Sequence, residues 1–298
     1  AAMNGSQPDN SPAPRLALVL GSGGVRSVAA LGLFEVLARQ GLKPDLVVGC
    51  SAGAMFGALV AMGHEPQEAI RVATTLWSPE VARQRRWKAV AQMLWPRLGG
   101  FDADFALRDD RLIMQRLAQA FGDAQIEALP TALRIAATNA GTGEGVVLKQ
   151  GSLVQALRAS IAVPFMFKPI HVGGERLIDG FVADPLPVSA AADAQVVIAL
   201  GFESPMPRKV DGPSRMLAQL TSALTNNLMQ ARLAAASAGG AKLLTLVPRL
   251  QRRVGLFDTE AMPYLVDEGR RVAEEALPAI HALARAAPPR LAVAAQCA

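Results

Sequence analysis

The stretch Leu46-Val47-Val48-Gly49-Cys50-Ser51-Ala52-Gly53-Ala54 constrains this chain more than any other. Its apolar, β-branched start reads as a buried strand, and the alanine-rich run after it reads as a helix. Between them a serine stands between two glycines, in the pattern G-x-S-x-G of a nucleophile elbow. Strand must turn directly into helix there, and Gly49 and Gly53 have no Cβ to obstruct the turn. Ser51 then shows its hydroxyl beside the amides that open the helix, which makes it the candidate nucleophile for acyl transfer. The same five residues also fit a tight strand–helix turn that holds a serine by chance. Leu46 to Gly63 is uncharged over a length that could cross a bilayer. Its glycines and strand-like start argue against a membrane span.

Two further segments shift the balance. Upstream, the apolar run Leu16–Leu20 enters Gly21-Ser22-Gly23-Gly24-Val25-Arg26-Ser27 and then a helix. Such a loop aims the backbone N–H groups of Gly23, Gly24, Val25 and Arg26 at one spot, near the positive end of a helix dipole. That suits a phosphate or an oxyanion. No Gly-Lys-Ser/Thr follows, so it is not a P-loop, and Arg26 and Ser27 break G-x-G-x-x-G. With a candidate serine nucleophile next in the chain, an oxyanion hole fits better. Downstream, Arg176-Leu177-Ile178-Asp179-Gly180-Phe181 is a short strand ending on Asp-Gly. An aspartate in that setting is by itself most often a turn former.

Loop, elbow and Asp-Gly, in this order and rough spacing, resemble the patatin-like phospholipase family over residues 15–281. The linking phrases Leu31-Gly32-Leu33-Phe34-Glu35-Val36-Leu37, Thr142-Gly143-Glu144 and Arg158-Ala159-Ser160-Ile161-Ala162-Val163-Pro164 belong to the same resemblance. It implies an α/β fold with a mostly parallel sheet sandwiched by helices. It also implies attack by Ser51, a base at Asp179, an oxyanion hole in the glycine loop, a lipid acyl ester as substrate and no cofactor. The chain departs from the family pattern in three places. The usual G-G-G-x-R-G appears as Ser22-Gly23-Gly24-Val25-Arg26-Ser27. The usual D-G-G or D-G-A appears as Asp179-Gly180-Phe181, and Ala30 stands where many bacterial members carry a histidine. Ser27 and Phe181 bear on the shape of the site; all the reactive groups are present.

At 298 residues, 51% of them hydrophobic and 18% charged, the chain can bury a sizeable core. Two cysteines, Cys50 and Cys297, make no disulfide framework and suit a reducing compartment. No His/Cys cluster has metal-ligand spacing, so no metal is expected. Residues 1–14 are polar and proline-containing, without the apolar region of a signal peptide. We read them as a flexible tail, 286–298 as a second tail, and 15–285 as one patatin-like domain, helical from about 214. A cytoplasmic protein, peripheral at the inner membrane surface when it meets lipid, fits this reading. It calls for no nucleic-acid partner and leaves the oligomeric state open.

Alternating patterns place strands at 16–20, 45–49, 133–138, 145–148, 176–178, 195–200 and 243–247. Helices fall at 27–39, 53–62, 66–75, 80–95, 109–120, 152–159 and 214–236. A last helix from Met262 to Ile280 carries apolar residues at spacings of three and four. This βα alternation argues for a mostly parallel sheet covered by helices.

A Ser–acid–His triad would need one of three histidines. His64 follows the helix after Ser51, at its exposed end. His171 lies on one arm of a hairpin whose other arm leads to Asp179. His281 has the right order for a triad but sits in the last amphipathic helix. The working mechanism is therefore a Ser51–Asp179 dyad, in which burial suits the carboxylate to act as base. Arg26 has two readings: a functional group that steadies the loop or attracts an anionic substrate, or an ordinary solvated residue at a helix start.

All three tryptophans lie between Trp77 and Arg97, with Arg83, Arg85, Arg86, Lys88 and Arg97 against the single acid Glu80. Trp87, Val90, Ala91 and Leu94 share one helical face, and Arg85, Lys88 and Gln92 another. That is the pattern of an interfacial helix on an anionic membrane, and equally of a helix with ordinary core tryptophans. Two other functions remain open. One is a weakly active regulatory membrane-binding protein of the same fold. The other is an acyltransferase or thioesterase using the same serine.

Overall fold

The computed structural model describes residues 14–78, 80 and 104–286. Eight strands form one sheet: β1 (Leu16–Leu20), β2 (Leu46–Cys50), β3 (Ala132–Asn139), β4 (Gly145–Leu148), β5 (Ile170–Val172), β6 (Glu175–Asp179), β7 (Val196–Leu200) and β8 (Leu243–Leu246). Hydrogen bonding runs β5-β6-β3-β2-β1-β7-β8, with β4 also on β3. The central strands β3, β2, β1, β7 and β8 are parallel. Every residue of β1, β2 and β7 is buried, because parallel strands covered on both faces have no solvent side and read as unbroken apolar runs.

The two faces divide the side chains by the period of the strand. Leu16, Leu18, Leu20, Val47, Val196 and Ile198 point into the larger core. That core is closed by α1 (Ala29–Arg39), α2 (Ala52–Ala61), α3 (Pro66–Leu76), α4 (Arg111–Phe121) and α5 (Leu153–Ser160). It also takes in α7 (Met262–Glu275) and Ile280 of α8 (Leu277–Ala286). Ala17, Val19, Val48, Val197 and Ala199 point the other way, onto Leu186 and Met229 of α6 (Pro213–Ala238). The mostly parallel sheet between helix layers is thus the fold the βα alternation implied.

Two glycines let α1 and α7 touch backbone to backbone. A Cβ on Gly269 would lie 1.9 Å from the Ala29 carbonyl oxygen, and one on Gly32 2.0 Å from that of Val266. Arg270 spans the same crossing, donating to Glu35 Oε2 at 2.7 Å.

The register of β3 brings distant parts of the chain to one place. Ala136 of β3 pairs with Cys50 on one side and Val147 on the other. Its neighbour Ala137 pairs with Asp179 and Val146. With β4 filling one edge, β2 and β6 share the other, end to end and running toward each other. The C-terminal residues of both strands therefore meet beside Ala136 and Ala137.

Several elements differ from the sequence expectation. The helix expected over 27–39 opens as a 3-10 turn, Gly24–Val28, before α1. The helix expected through Ile280 ends at Glu275, because Pro278 has no N–H to continue the ladder. Residues 46–61 form β2 and the ten-residue α2, and no described helix is long and apolar enough to cross a membrane. The helix expected over 80–95 lies outside the described residues apart from Glu80, as do 1–13 and 287–298.

Candidate active site

Ser51 joins β2 to α2 at φ 55, ψ −130, a backbone region that costs a non-glycine residue of order 1–3 kcal/mol. Neighbouring groups hold it there. A Cβ on Gly49 would lie 2.3 Å from Ala54 Cα, and one on Gly53 2.5 Å from the carbonyl oxygens of Leu20 and Gly21. The two elbow glycines thus let α2 turn back on its own strand and press against the end of β1. The Ser51 amide donates to Ser160 Oγ at 2.8 Å, and that hydroxyl donates to the Ala136 carbonyl at 2.6 Å. Ser160 is wholly buried and acts as a positioning residue. Sequence reasoning passes over it, although it stands inside the phrase Arg158–Pro164.

Across the β2–β6 junction, Ser51 Oγ donates to Asp179 Oδ2 at 2.6 Å. Asp179 has no exposed surface. Its other oxygen, Oδ1, accepts from the Phe181 amide at 3.0 Å. Its amide donates to the Ala162 carbonyl, and its carbonyl accepts from Thr138 Oγ1 at 2.9 Å. Burial pushes the carboxyl up from 3.8 to about 7, against the lowering effect of the bonds from Phe181 and Ser51. A carboxylate so placed is a far better base than one in water. Phe181, a departure from the family pattern, contributes its backbone N–H to this bond, which any residue but proline at that position could do. The same burial, with Asp179 and Asp184 adding to it, raises the Cys50 thiol well above its usual range, so Cys50 stays neutral beside the pair.

The glycine loop leaves β1 next to this junction. The amides of Gly21, Ser22 and Val25 are taken by the carbonyls of Leu200, Pro185 and Leu256. Val25 was expected to donate to an oxyanion; its bond to Leu256, at 3.0 Å, removes it from that set. The Gly23 and Gly24 amides have no acceptor among the described residues. Arg26 takes the steadying role. Its Nε donates to the Gly23 carbonyl at 3.1 Å and its Nη1 to the Glu203 carbonyl at 2.7 Å, with the guanidinium 5.7 Å from the centre of the Phe202 ring. Ser27, the other departure, donates from Oγ to the Gly21 carbonyl at 3.0 Å. It ties the two ends of the loop together.

The histidines are engaged elsewhere. His64 Nδ1 lies 3.2 Å from Glu68 Oε2, His281 Nε2 lies 3.1 Å from Gln40 Oε1, and His171 is exposed on β5. No group of three or more His, Cys, Asp or Glu among the described residues could hold a metal ion. Arg83, Arg85, Arg86, Trp87 and Lys88, the expected membrane contact, lie outside the described residues.

Sheet order, elbow and glycine loop define an α/β protein with a sharp strand-to-helix turn at Ser51. The model of the patatin-like phospholipase family matches residues 18–192, and the chain belongs to that family, whose members are lipid ester hydrolases in general. An uncharacterised NTE family protein of Mycobacterium bovis is 32% identical over 194 residues, 64% of this chain and 50% of that protein. The lysophospholipase NTE1 of Candida glabrata is 26% identical over 174 residues, 58% of this chain and 9% of the yeast protein. The chain thus spans half or less of these relatives. Among solved structures, VipD of Legionella pneumophila aligns with a TM-score of 0.49 at 15% identity, over 90% of this chain and 67% of that one.

Proposed function

We propose that the protein hydrolyses carboxylic esters of lipids, as a phospholipase A or lysophospholipase, through a Ser51–Asp179 dyad. The observation that carries the reading is the 2.6 Å hydrogen bond from Ser51 Oγ to a wholly buried carboxylate. Family membership supplies the lipid ester as substrate class.

Ser51 Oγ bonds to the acyl carbon as its proton passes to Asp179 Oδ2. The carbonyl oxygen becomes an oxyanion facing the Gly23 and Gly24 amides, donors of a kind typically worth about 10²–10³ in rate each. Collapse breaks the bond to the leaving alcohol, which takes the proton back from Asp179, and the acyl group stays on Ser51. Asp179 then deprotonates a water, which attacks the same carbon; the bond from that carbon to Ser51 Oγ breaks, Oγ takes the proton back from Asp179, and the fatty acid is released. A carboxyl that titrates near neutrality can serve both half-reactions.

A panel of phospholipids, lysophospholipids and glycerides, with Ser51→Ala as control, tests the proposal. Fatty acid should appear from at least one lipid with the unaltered protein and from none with the variant. Turnover only of acyl thioesters, or acyl transfer to an acceptor without hydrolysis, would replace this reading.

A further inference from the structure

A hollow of about 620 Å³ lies past the C-terminal ends of β7 and β8, and neither Ser51 nor Asp179 is among its walls. The walls are the loop after β7, the segment after β8, and Asn226 and Gln230 on α6. Four arginines line it, Arg26, Arg249, Arg252 and Arg253, against one carboxylate, Glu203. None of the three outer arginines lies within ion-pair distance of a carboxylate among the described residues. On α7, by contrast, Arg270 and Arg271 each hold two. Two of the outer guanidiniums are fixed without being neutralised. Arg253 Nη2 donates to the Met206 carbonyl at 3.3 Å, and Arg252 lies 4.7 Å over the Tyr264 ring.

Arg26 connects this hollow to the catalytic loop. Its Nε holds the Gly23 carbonyl and its Nη1 the Glu203 carbonyl, while the residue also forms part of the cavity wall. Burial lowers its pKa to about 10, so it is charged at neutral pH and gains from an anion placed against it. Planar guanidinium forks match phosphate oxygens. The volume falls in the range of small-ligand sites and exceeds what a single inorganic phosphate fills.

We propose that this cavity binds a phosphate ester, and that the bound anion stiffens the oxyanion loop through Arg26. The ester can come from a soluble phosphate compound or from the headgroup of an anionic phospholipid. The second source has support in α6. Ser222 and Asn226 are bonded to Pro205 and Ser204 just after β7, so Pro213–Thr221 extends about 14 Å further, past the sheet edge where Ser51 lies. Met216, Leu217, Leu220 and Leu224 are exposed there, on the face turned away from the body. The lipid source and the coupling to Ser51 rest on the proposed hydrolase function; the binding does not, and is therefore measured on Ser51→Ala protein.

The full chain carrying Ser51→Ala is melted in rising inorganic phosphate and glycerophosphoglycerol, with sodium chloride of matched ionic strength as control. It is also sedimented with phosphatidylcholine vesicles with and without phosphatidylglycerol. Either phosphate compound should raise Tm saturably where chloride does not, or the phosphatidylglycerol vesicles alone should carry the protein down; the first result marks a soluble source and the second a membrane one. Adding Arg249→Gln, Arg252→Gln and Arg253→Gln should weaken whichever binding is seen at least tenfold, with the far-UV dichroism unchanged. Lysine at the same three positions keeps the charge but not the fork, and should bind between the two. With Ser51 restored, a soluble fluorophosphonate should label faster when the anion is saturating, and the glutamine variant should lose that dependence. A Tm rise matched by chloride, binding that survives the glutamine changes, or no binding in any arm would overturn the proposal.

Discussion

Replacing Asp179 with asparagine should make the protein more stable and nearly inactive, in a pH-dependent way. The folded state holds the Asp179 proton up to about pH 7, while the unfolded chain releases it near 3.8. Between these values the folded state binds more protons, so the unfolding free energy falls as pH rises from about 4 to 7 and is level above. The full difference is worth about 4 kcal/mol. From pH 5 to pH 8 the part lost is about 3 kcal/mol. Asparagine cannot ionise and loses none of it. Cys50 remains neutral through this range, and Asp184, itself raised to about 6 by burial, is common to both proteins and cancels on subtraction. Relative to the unaltered protein, Asp179→Asn should therefore gain about 3 kcal/mol more at pH 8 than at pH 5, or roughly 5–10 °C in Tm for a domain of this size. Thermal melts of both proteins at the two pH values measure this directly. Turnover of a soluble ester should drop roughly 10²–10⁴-fold, and the unaltered enzyme should show an acid limb that levels off above about pH 7. A variant whose advantage is the same at both pH values would refute the desolvation argument. An advantage at pH 8 with full activity would refute the role of Asp179 as base.

Ser160→Ala removes the buried acceptor of the Ser51 amide and should cost about 1–3 kcal/mol, read by urea unfolding. Because Ser160 holds Ser51 rather than the substrate, kcat should fall while KM for a short ester stays within a few-fold. Ser27→Ala cuts the tie from Oγ to the Gly21 carbonyl and should lose about 1 kcal/mol and a few-fold in kcat; a wholly silent change would mean that the other bonds of the loop hold it without Ser27. Gly269→Ala sets a Cβ against the Ala29 carbonyl, 1.9 Å away, and should lower Tm by several degrees, whereas Gly255→Ala, with open space around it, should not.

How much of the site is legible in the sequence depends on the range of the interaction. The elbow is local: Gly49, Ser51 and Gly53 state their own turn, and the apolar runs around them state strand and helix. Asp179-Gly180 is legible as a motif, but its meeting with Ser51 depends on β2 and β6 abutting along one edge of β3, a tertiary register that no local pattern encodes. Ser160 escapes sequence reasoning for the same reason, since its partners Ser51 and Ala136 are distant in sequence. Val25 is misplaced there because the carbonyl that claims its amide belongs to Leu256, in a loop with no pattern of its own. The continuous helix through Ile280 is an error of a different kind: apolar periodicity runs on across Pro278, and the missing N–H outweighs it. The departures at Ser27 and Phe181 become interpretable only in the folded chain, one through a hydroxyl bond across the loop and the other through a backbone amide.

The central claim is that Ser51, activated by Asp179, is the nucleophile, and covalent trapping tests it most directly. Incubated with a fluorophosphonate and digested, the protein should yield one modified peptide with the adduct on Ser51. Labelling should be lost in Ser51→Ala and slowed at least a hundredfold in Asp179→Asn. It should persist when His64, His171 and His281 are all replaced in a protein that still folds. An adduct on another serine, or labelling of Ser51 that is untouched by Asp179→Asn but abolished by His281→Ala, would contradict the account.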